Sequence, residues 1–156
     1  MGAPITFRPA RPEDGPQLLS LHRRAILTDG VSAYPLEAAL SWAHGLTARG
    51  YAGAMAAGEQ IEVAVIDARV VGFCGVEDDE IKGLYVDPEF TRRGIAARLT
   101  SRALQSIRSA GHARARVAAA LSGEPFYAAM GFSRTGERLH ATRGGLPIRV
   151  LEMQSA

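Results

Sequence analysis

A chain of 156 residues, 47% apolar and 22% charged, suits one domain with a substantial core, and no run in it approaches the length of a membrane span. Its formal net charge of +2 is too small to argue by itself for a nucleic-acid or membrane partner. A single cysteine, Cys74, excludes an intramolecular disulfide framework, and its apolar surroundings point to a buried structural thiol. The opening Ile5-Thr6-Phe7-Arg8-Pro9 lacks the apolar core of a signal peptide, so the expected location is cytoplasmic and reducing.

Ile5 to Arg8 reads as a first strand, closed by Pro9 and Pro12. Pro12-Glu13-Asp14 marks a helix start with acidic residues at the positive end of the dipole. Leu18, Leu21, Ala25 and Ile26 make its inner stripe as far as Thr28-Asp29-Gly30. Val31 to Pro35 is a loop, and Leu36 to Leu46 reads as a second helix carrying Trp42. Ile61–Ile66 and Val70–Val76 read as strands joined by a short hairpin at Asp67-Ala68-Arg69.

Glu80 to Leu104 carries the strongest local signal. Ile81, Leu84, Tyr85 and Val86 make a strand, and Asp87-Pro88 stops it. Regular alternation puts Glu80 on the same face as Leu84, about 13 Å away. Thr91-Arg92-Arg93-Gly94-Ile95-Ala96 then opens a helix with Ile95, Leu99, Ala103 and Ile107 on its stripe and Gly111 as a left-handed cap. A glycine at a helix mouth exposes unpaired N–H groups to a phosphate, and Arg92 and Arg93 add charge. The bland alternative is an amphipathic helix with a solvated basic face.

Further on, Arg114–Ala119 reads as an alanine-rich strand. Ser122 to Phe132 reads as a short helix with Ser122 as its cap, Pro125 in its first turn and Gly131 at its end. Ser133–Leu139 and Ile148–Met153 are closing strands around a Gly144-Gly145-Leu146-Pro147 loop.

LYVDP followed by TRRGIA resembles the coenzyme A signature of GNAT superfamily N-acetyltransferases, in which Gly94 and Ala96 match and Thr91 replaces the usual Gln or Arg. The FRPARPED opening and the PFYAAMGF segment at Pro125–Phe132 resemble the same family, so the likeness covers nearly the whole chain. It implies an α/β (α+β) acyl-CoA N-acyltransferase fold. That fold has a mixed, mostly antiparallel sheet of six to seven strands, about four flanking helices and a splay between strands 4 and 5. It also implies acetyl-coenzyme A as co-substrate, no metal, and direct transfer to a primary amine of a small molecule or peptide. The pyrophosphate would lie on the main chain of Arg92, Arg93, Gly94, Ile95, Ala96 and Ala97, and the pantetheine arm along Leu84, Tyr85 and Val86.

The resemblance gives Tyr127 the role of general acid toward the leaving thiolate, against the plain reading of a half-buried tyrosine beside Phe126. Glu80 is the candidate base for an amine whose pKa is roughly 10, with ordered water or a merely solvated acidic turn as the other readings. Tyr34 and Trp42 are candidate acceptor contacts, although Trp42 reads first as a packing anchor. Asp78, Asp79, Glu80, Asp87 and Glu89 hint at a cationic amine. Relatives often carry Asn or Ser where Ala118-Ala119-Ala120 stands, so either a polar contact to coenzyme or acceptor is missing or Ser122 takes it over. The four histidines, His22, His44, His112 and His140, have no metal-ligand spacing and read as surface or packing residues. A non-catalytic acyl-coenzyme A sensor is the alternative on the same fold. Nucleic-acid binding lacks interleaved aromatics, and the C-terminal strands are candidates to pair across a homodimer.

Overall fold

The computed structural model describes residues 2–156. In chain order the elements are β1 (Thr6–Pro9), α1 (Gly15–Asp29), α2 (Leu36–Ala43), α3 (Gly50–Ala56), β2 (Gln60–Ile66), β3 (Arg69–Glu77), β4 (Glu80–Val86), α4 (Ile95–Ser109), β5 (Arg116–Ala120), α5 (Glu124–Ala129), β6 (Phe132–Ala141) and β7 (Pro147–Ser155). The strands form one sheet in the order β1-β2-β3-β4-β5-β7-β6, antiparallel except for the parallel pair β4–β5.

The two faces of the sheet bury different helices. Ile95, Leu99, Ala103 and Ile107 of α4 pack with Val71, Cys74, Ile81, Val117 and Tyr127 on one face. On the other, Leu18 and Leu21 of α1 and Tyr51 of α3 pack with Val63, Val70 and Phe73. Two arginines of α4 lie off that stripe and are engaged: the Arg98 and Arg102 guanidinium groups stack on Phe7, and Arg102 bonds Glu62 at 2.6 Å.

Helix α3 and the short reach of α2 differ from the expectation of one helix over Leu36–Leu46. Gly50 and Gly53 hide α3 from a propensity reading, and it forms because Tyr51 is buried against His22 and Phe73. Ser122 lies in a 3-10 turn over Leu121–Gly123, and no side chain caps α5.

Two features of β4 position everything that follows. Gly75 faces Gly83 while Val76 faces Ile81, so Lys82 is an extra residue in β4, a bulge. The bulge breaks the alternation expected from the sequence. Leu84 and Val86 join Ile81 on the α4 face, whereas Glu80 and Tyr85 look to the other side. Second, β4 and β5 pair only at Glu80–Arg116 and Ile81–Val117. Beyond Ile81 the strands part, and the edge of β4 from Lys82 to Val86 has no strand partner on that side.

The end of β4 is fixed by charge. Asp87 is fully buried, receives Arg24 of α1 bidentately at 2.8 Å on each oxygen, and takes a further bond from Arg69 at 3.0 Å. Burial alone would raise its carboxyl. The Arg24 bonds, the Glu89 N–H and Arg69 outweigh it and hold Asp87 below the usual carboxylate range.

Candidate active site: two clefts meeting where the strands part

The parting of β4 and β5 opens a cleft of about 610 Å³. Its walls are Leu84, Tyr85 and Val86 on one side and Val117–Ala120 on the other. Thr91, Arg92 and Gly94–Ala97 close one end, while Ser122, Phe126 and Tyr127 close the other. Gly94 takes a left-handed conformation at φ 75°, and Arg92 does so too at φ 63°. The first intrahelical bond of α4 runs from Arg98 N–H to Gly94 O at 3.0 Å. The amides of Ile95, Ala96 and Ala97 therefore precede it and stand unpaired at the positive end of the helix. Of the residues expected there, Arg93 departs: its guanidinium lies over the Phe90 ring and it is not part of the cleft wall.

Tyr127 stands at the far end, 7% exposed, with its ring edge-on to Phe126 and Phe132. It is buried rather than half-buried. Burial, with Cys74 and Tyr85 adding to it, pushes the phenol well above its ordinary range, so it stays neutral. Cys74 is buried behind it, its thiol pushed up to about 12 by burial and then by Glu62 and Glu59, which suits the structural role expected of it.

A second cleft, of about 490 Å³, lies on the opposite face and shares Trp42, Ile81, Lys82, Gly83, Tyr85, Ala118 and Ala120 with the first. Glu80 belongs to this cleft and not to the first, with its carboxylate 3.4 Å from Lys82 Nζ. Trp42 borders both clefts and packs edge-on against Tyr34 and Tyr85, so packing and cleft-lining coincide in one ring. Tyr34 borders neither. Its hydroxyl donates to Arg149 O at 2.6 Å and accepts from Leu121 N–H at 3.0 Å, which ties β7 to the turn after β5. Tyr34, expected to contact the acceptor, thus stands outside both clefts with its hydroxyl engaged.

The acidic cluster read from the sequence is also largely committed. Asp79 bonds Arg116 at 2.8 Å, Asp87 holds Arg24 and Arg69, and Glu89 bonds Arg69 at 3.0 Å. The free acid in the second cleft is one the sequence did not single out. Glu59 lies over Gly75, so closely that a Cβ there would fall 2.0 Å from its Oε2. Burial raises its carboxyl, against Lys82, which lowers it.

The rest of the second cleft is equally non-local. His22 and Tyr51 form its floor, linked Nδ1 to Oη at 2.9 Å, and Tyr85 stacks on His22 at 4.1 Å between ring centroids. Burial, then the Arg143 charge, depresses the His22 pKa to about 3. Lys82, Arg138, His140 and Arg143 line the wall. Among the described residues no group of three or more His, Cys, Asp or Glu side chains comes together as a metal site.

Comparison with known proteins accords with this architecture. Residues 31–154 match the family model described as an acetyltransferase (GNAT) domain. The chain is 30% identical over 140 residues, 90% of its length and 89% of the relative's, to an uncharacterized N-acetyltransferase, YafP, of Escherichia coli K12. A GCN5-related N-acetyltransferase from Rhodopseudomonas palustris superposes with a TM-score of 0.92 at 20% identity, covering 100% of this chain and 98% of that one. The PaiA N-acetyltransferase of Thermoplasma acidophilum, solved with coenzyme A, gives 0.78 at 20% identity over 97% and 98% of the two chains. A family match across four-fifths of the chain, on a sheet with the parted parallel pair, makes this protein a member of the GNAT acetyltransferase family.

Proposed function

We propose that the chain is a single catalytic domain that transfers an acetyl group from acetyl-coenzyme A directly to a primary amine of a small molecule or peptide. The observation that carries this is the junction itself. The unpaired edge of β4 opens at once onto a cleft ending in free helix amides and onto a second cleft bearing carboxylates. A coenzyme in the first and an amine in the second would meet at the parting strands.

The residues present fit that co-substrate. The amides of Ile95, Ala96 and Ala97, beside Arg92 and Gly94, would receive the pyrophosphate. The free main-chain edge at Leu84–Val86 would take the extended pantetheine as an added strand, with one amide supporting the thioester oxygen. The amine nitrogen then forms a bond to the acetyl carbon as the carbon–sulfur bond breaks. Tyr127, which lines the first cleft and is kept neutral by burial, would give the departing thiolate its proton. Glu80 takes the proton that the amine must lose, directly or through water, with the desolvated Glu59 carboxylate on the same cleft. Trp42 and Tyr85 separate the two clefts and orient the acceptor.

The test is release of free thiol from acetyl-coenzyme A with and without a panel of primary amines. Amine-dependent release with a stoichiometric acetylated product is expected. Tight coenzyme binding with no amine-dependent release from any member of a broad panel would contradict the reading.

A further inference from the structure

We infer that the acceptor carries an oxyanion group besides its amine, and that Arg143 and the His22–Tyr51 floor of the second cleft receive it. This rests on the acetyl-transfer reading above and names the class of substrate for the same site.

The charges around that cleft are unevenly matched. Lys82 has Glu80 at 3.4 Å, and Arg138 has Glu152 at 2.8 Å. Arg143 bonds no carboxylate among the described residues. It donates from Nε to His44 O at 3.1 Å and from Nη2 to Trp42 O, at the C-terminal end of α2. Those carbonyls hold the fork in place without neutralising it, and Nη1 has no partner among the described residues. The loop that carries Arg143 is itself docked: Gly144 N–H reaches Ser41 O at 2.9 Å, and Ser41 and Thr142 hydroxyls meet at 2.6 Å. A tethered guanidinium with a free edge is suited to a carboxylate or phosphate. Its surroundings support this. His140 is held below the ordinary imidazole range by burial and then by Arg138, Arg143 and Lys82, which places it among three cations.

The floor supplies an independent observation. His22 is 7% exposed, and its Nε2 is the one buried side-chain nitrogen or oxygen without a hydrogen-bond partner among the described residues. Leaving such a group unpaired is costly, and a ligand entering the second cleft, which His22 lines, would supply its partner. Either tautomer satisfies the Nδ1–Oη contact; the one in which the Tyr51 hydroxyl donates to Nδ1 puts the ring proton on Nε2, and it is this form that would donate to an oxyanion. Donors at Arg143 and His22, with carboxylates at Glu59 and Glu80, make a cleft with two electrical ends. It fits an amine that is also an acid. A polyamine would bring positive charge against Lys82, Arg138 and Arg143.

The test is kcat/KM by thiol release for matched pairs: glycine and glycinamide, β-alanine and its amide, phosphoethanolamine and ethanolamine. At least one acid is expected to exceed its neutral partner by about tenfold or more, and the carboxylate and phosphate arms tell the two oxyanion sources apart. Arg143→Gln should bring the ratio toward one, with Arg143→Lys restoring part of it. His22→Leu, which leaves the Arg143 loop tethered, should lower the ratio as well. Neutral partners equal to or better than every acid would overturn the inference, as would an acid preference that survives both Arg143→Gln and His22→Leu. Calorimetry with the same pairs on protein saturated with coenzyme A separates the two readings. Tighter binding of the acid without thiol release leaves the anion site standing and sinks acetyl transfer, whereas transfer with equal affinities does the reverse.

Discussion

The cleft proposed for the coenzyme and the one proposed for the acceptor share Trp42, Lys82 and Tyr85, yet they are walled differently. The first draws mostly on two stretches, Ile81–Ala97 and Val117–Tyr127, with free main-chain groups at the β4 edge and the Gly94 loop, and is completed by the end of α1 and by Trp42. The second gathers charged and aromatic side chains from α1, α2, α3, β3, β4, β6 and the loops before β2 and after β6, residues 22 to 143 of the chain. A main-chain site is common to any sequence that folds this way, whereas a side-chain site belongs to one acceptor. Coenzyme recognition should therefore tolerate most substitutions that spare the backbone, and acceptor recognition should not.

The largest effect expected is on what both clefts stand on. Asp87→Asn leaves Arg24 and Arg69 without their buried carboxylate and should cost about 3 kcal/mol of stability, read by urea denaturation. A loss below about 0.5 kcal/mol would mean that the end of β4 is held by other contacts. Tyr127→Phe probes the junction. Turnover is expected to fall about 100-fold while coenzyme affinity stays within a few-fold, a split readable by kinetics and calorimetry together. An unchanged kcat would remove Tyr127 from the proton path.

Gly94→Val sharpens the main-chain side of the comparison. A β-branched residue at φ 75° is strained, and reshaping the loop should weaken acetyl-coenzyme A binding about tenfold. Acceptor KM should move much less.

The acceptor side carries its own pH signature. The His22 pKa is about 3 in the fold against 6.5 for a free imidazole, so between these values the unfolded chain binds a proton that the folded chain does not. His22 therefore contributes stability that is complete above pH 6.5 and falls by about 1.4 kcal/mol per pH unit below it. His22→Leu should flatten that slope between pH 6.5 and 5, and an unaltered slope would show that His22 protonates in the fold. The Asp87 carboxyl, depressed in the fold, adds a further loss only near pH 4 and below. The smallest effect expected is that of Leu84→Ala, which keeps the amide and carbonyl offered to the coenzyme and should change its affinity less than about threefold.

The same contrast explains what the sequence could reveal. The strand, DP turn, glycine loop and helix of residues 80–104 are contiguous, and Gly94 at φ 75° and the Ile95–Ile107 stripe stand where their spacing puts them. The FY segment is local in the same way. What escaped is set by contacts across the chain. A single bulge at Lys82, invisible to alternation, moved Glu80 to the opposite face from Leu84. Asp79 and Asp87 looked available until Arg116 and Arg24, 37 and 63 residues away, closed on them. Glu59 became a cleft residue because Gly75 leaves room above the sheet, and helix α3 formed in spite of two glycines because Tyr51 is buried. His22 read as a packing residue. It does pack, against Tyr85 and Phe73, but its second nitrogen is left unmatched.

The measurement that bears most directly on the parted strands is an amide-resolved NMR titration of the protein with coenzyme A. The expected result is that the largest shifts fall on Leu84, Val86 and Gly94–Ala97, while the amides of Tyr51, Glu59 and His140 move little. Shifts concentrated in the second cleft, with the β4 edge and the Gly94 loop unmoved, would contradict the placement of the coenzyme between β4 and β5.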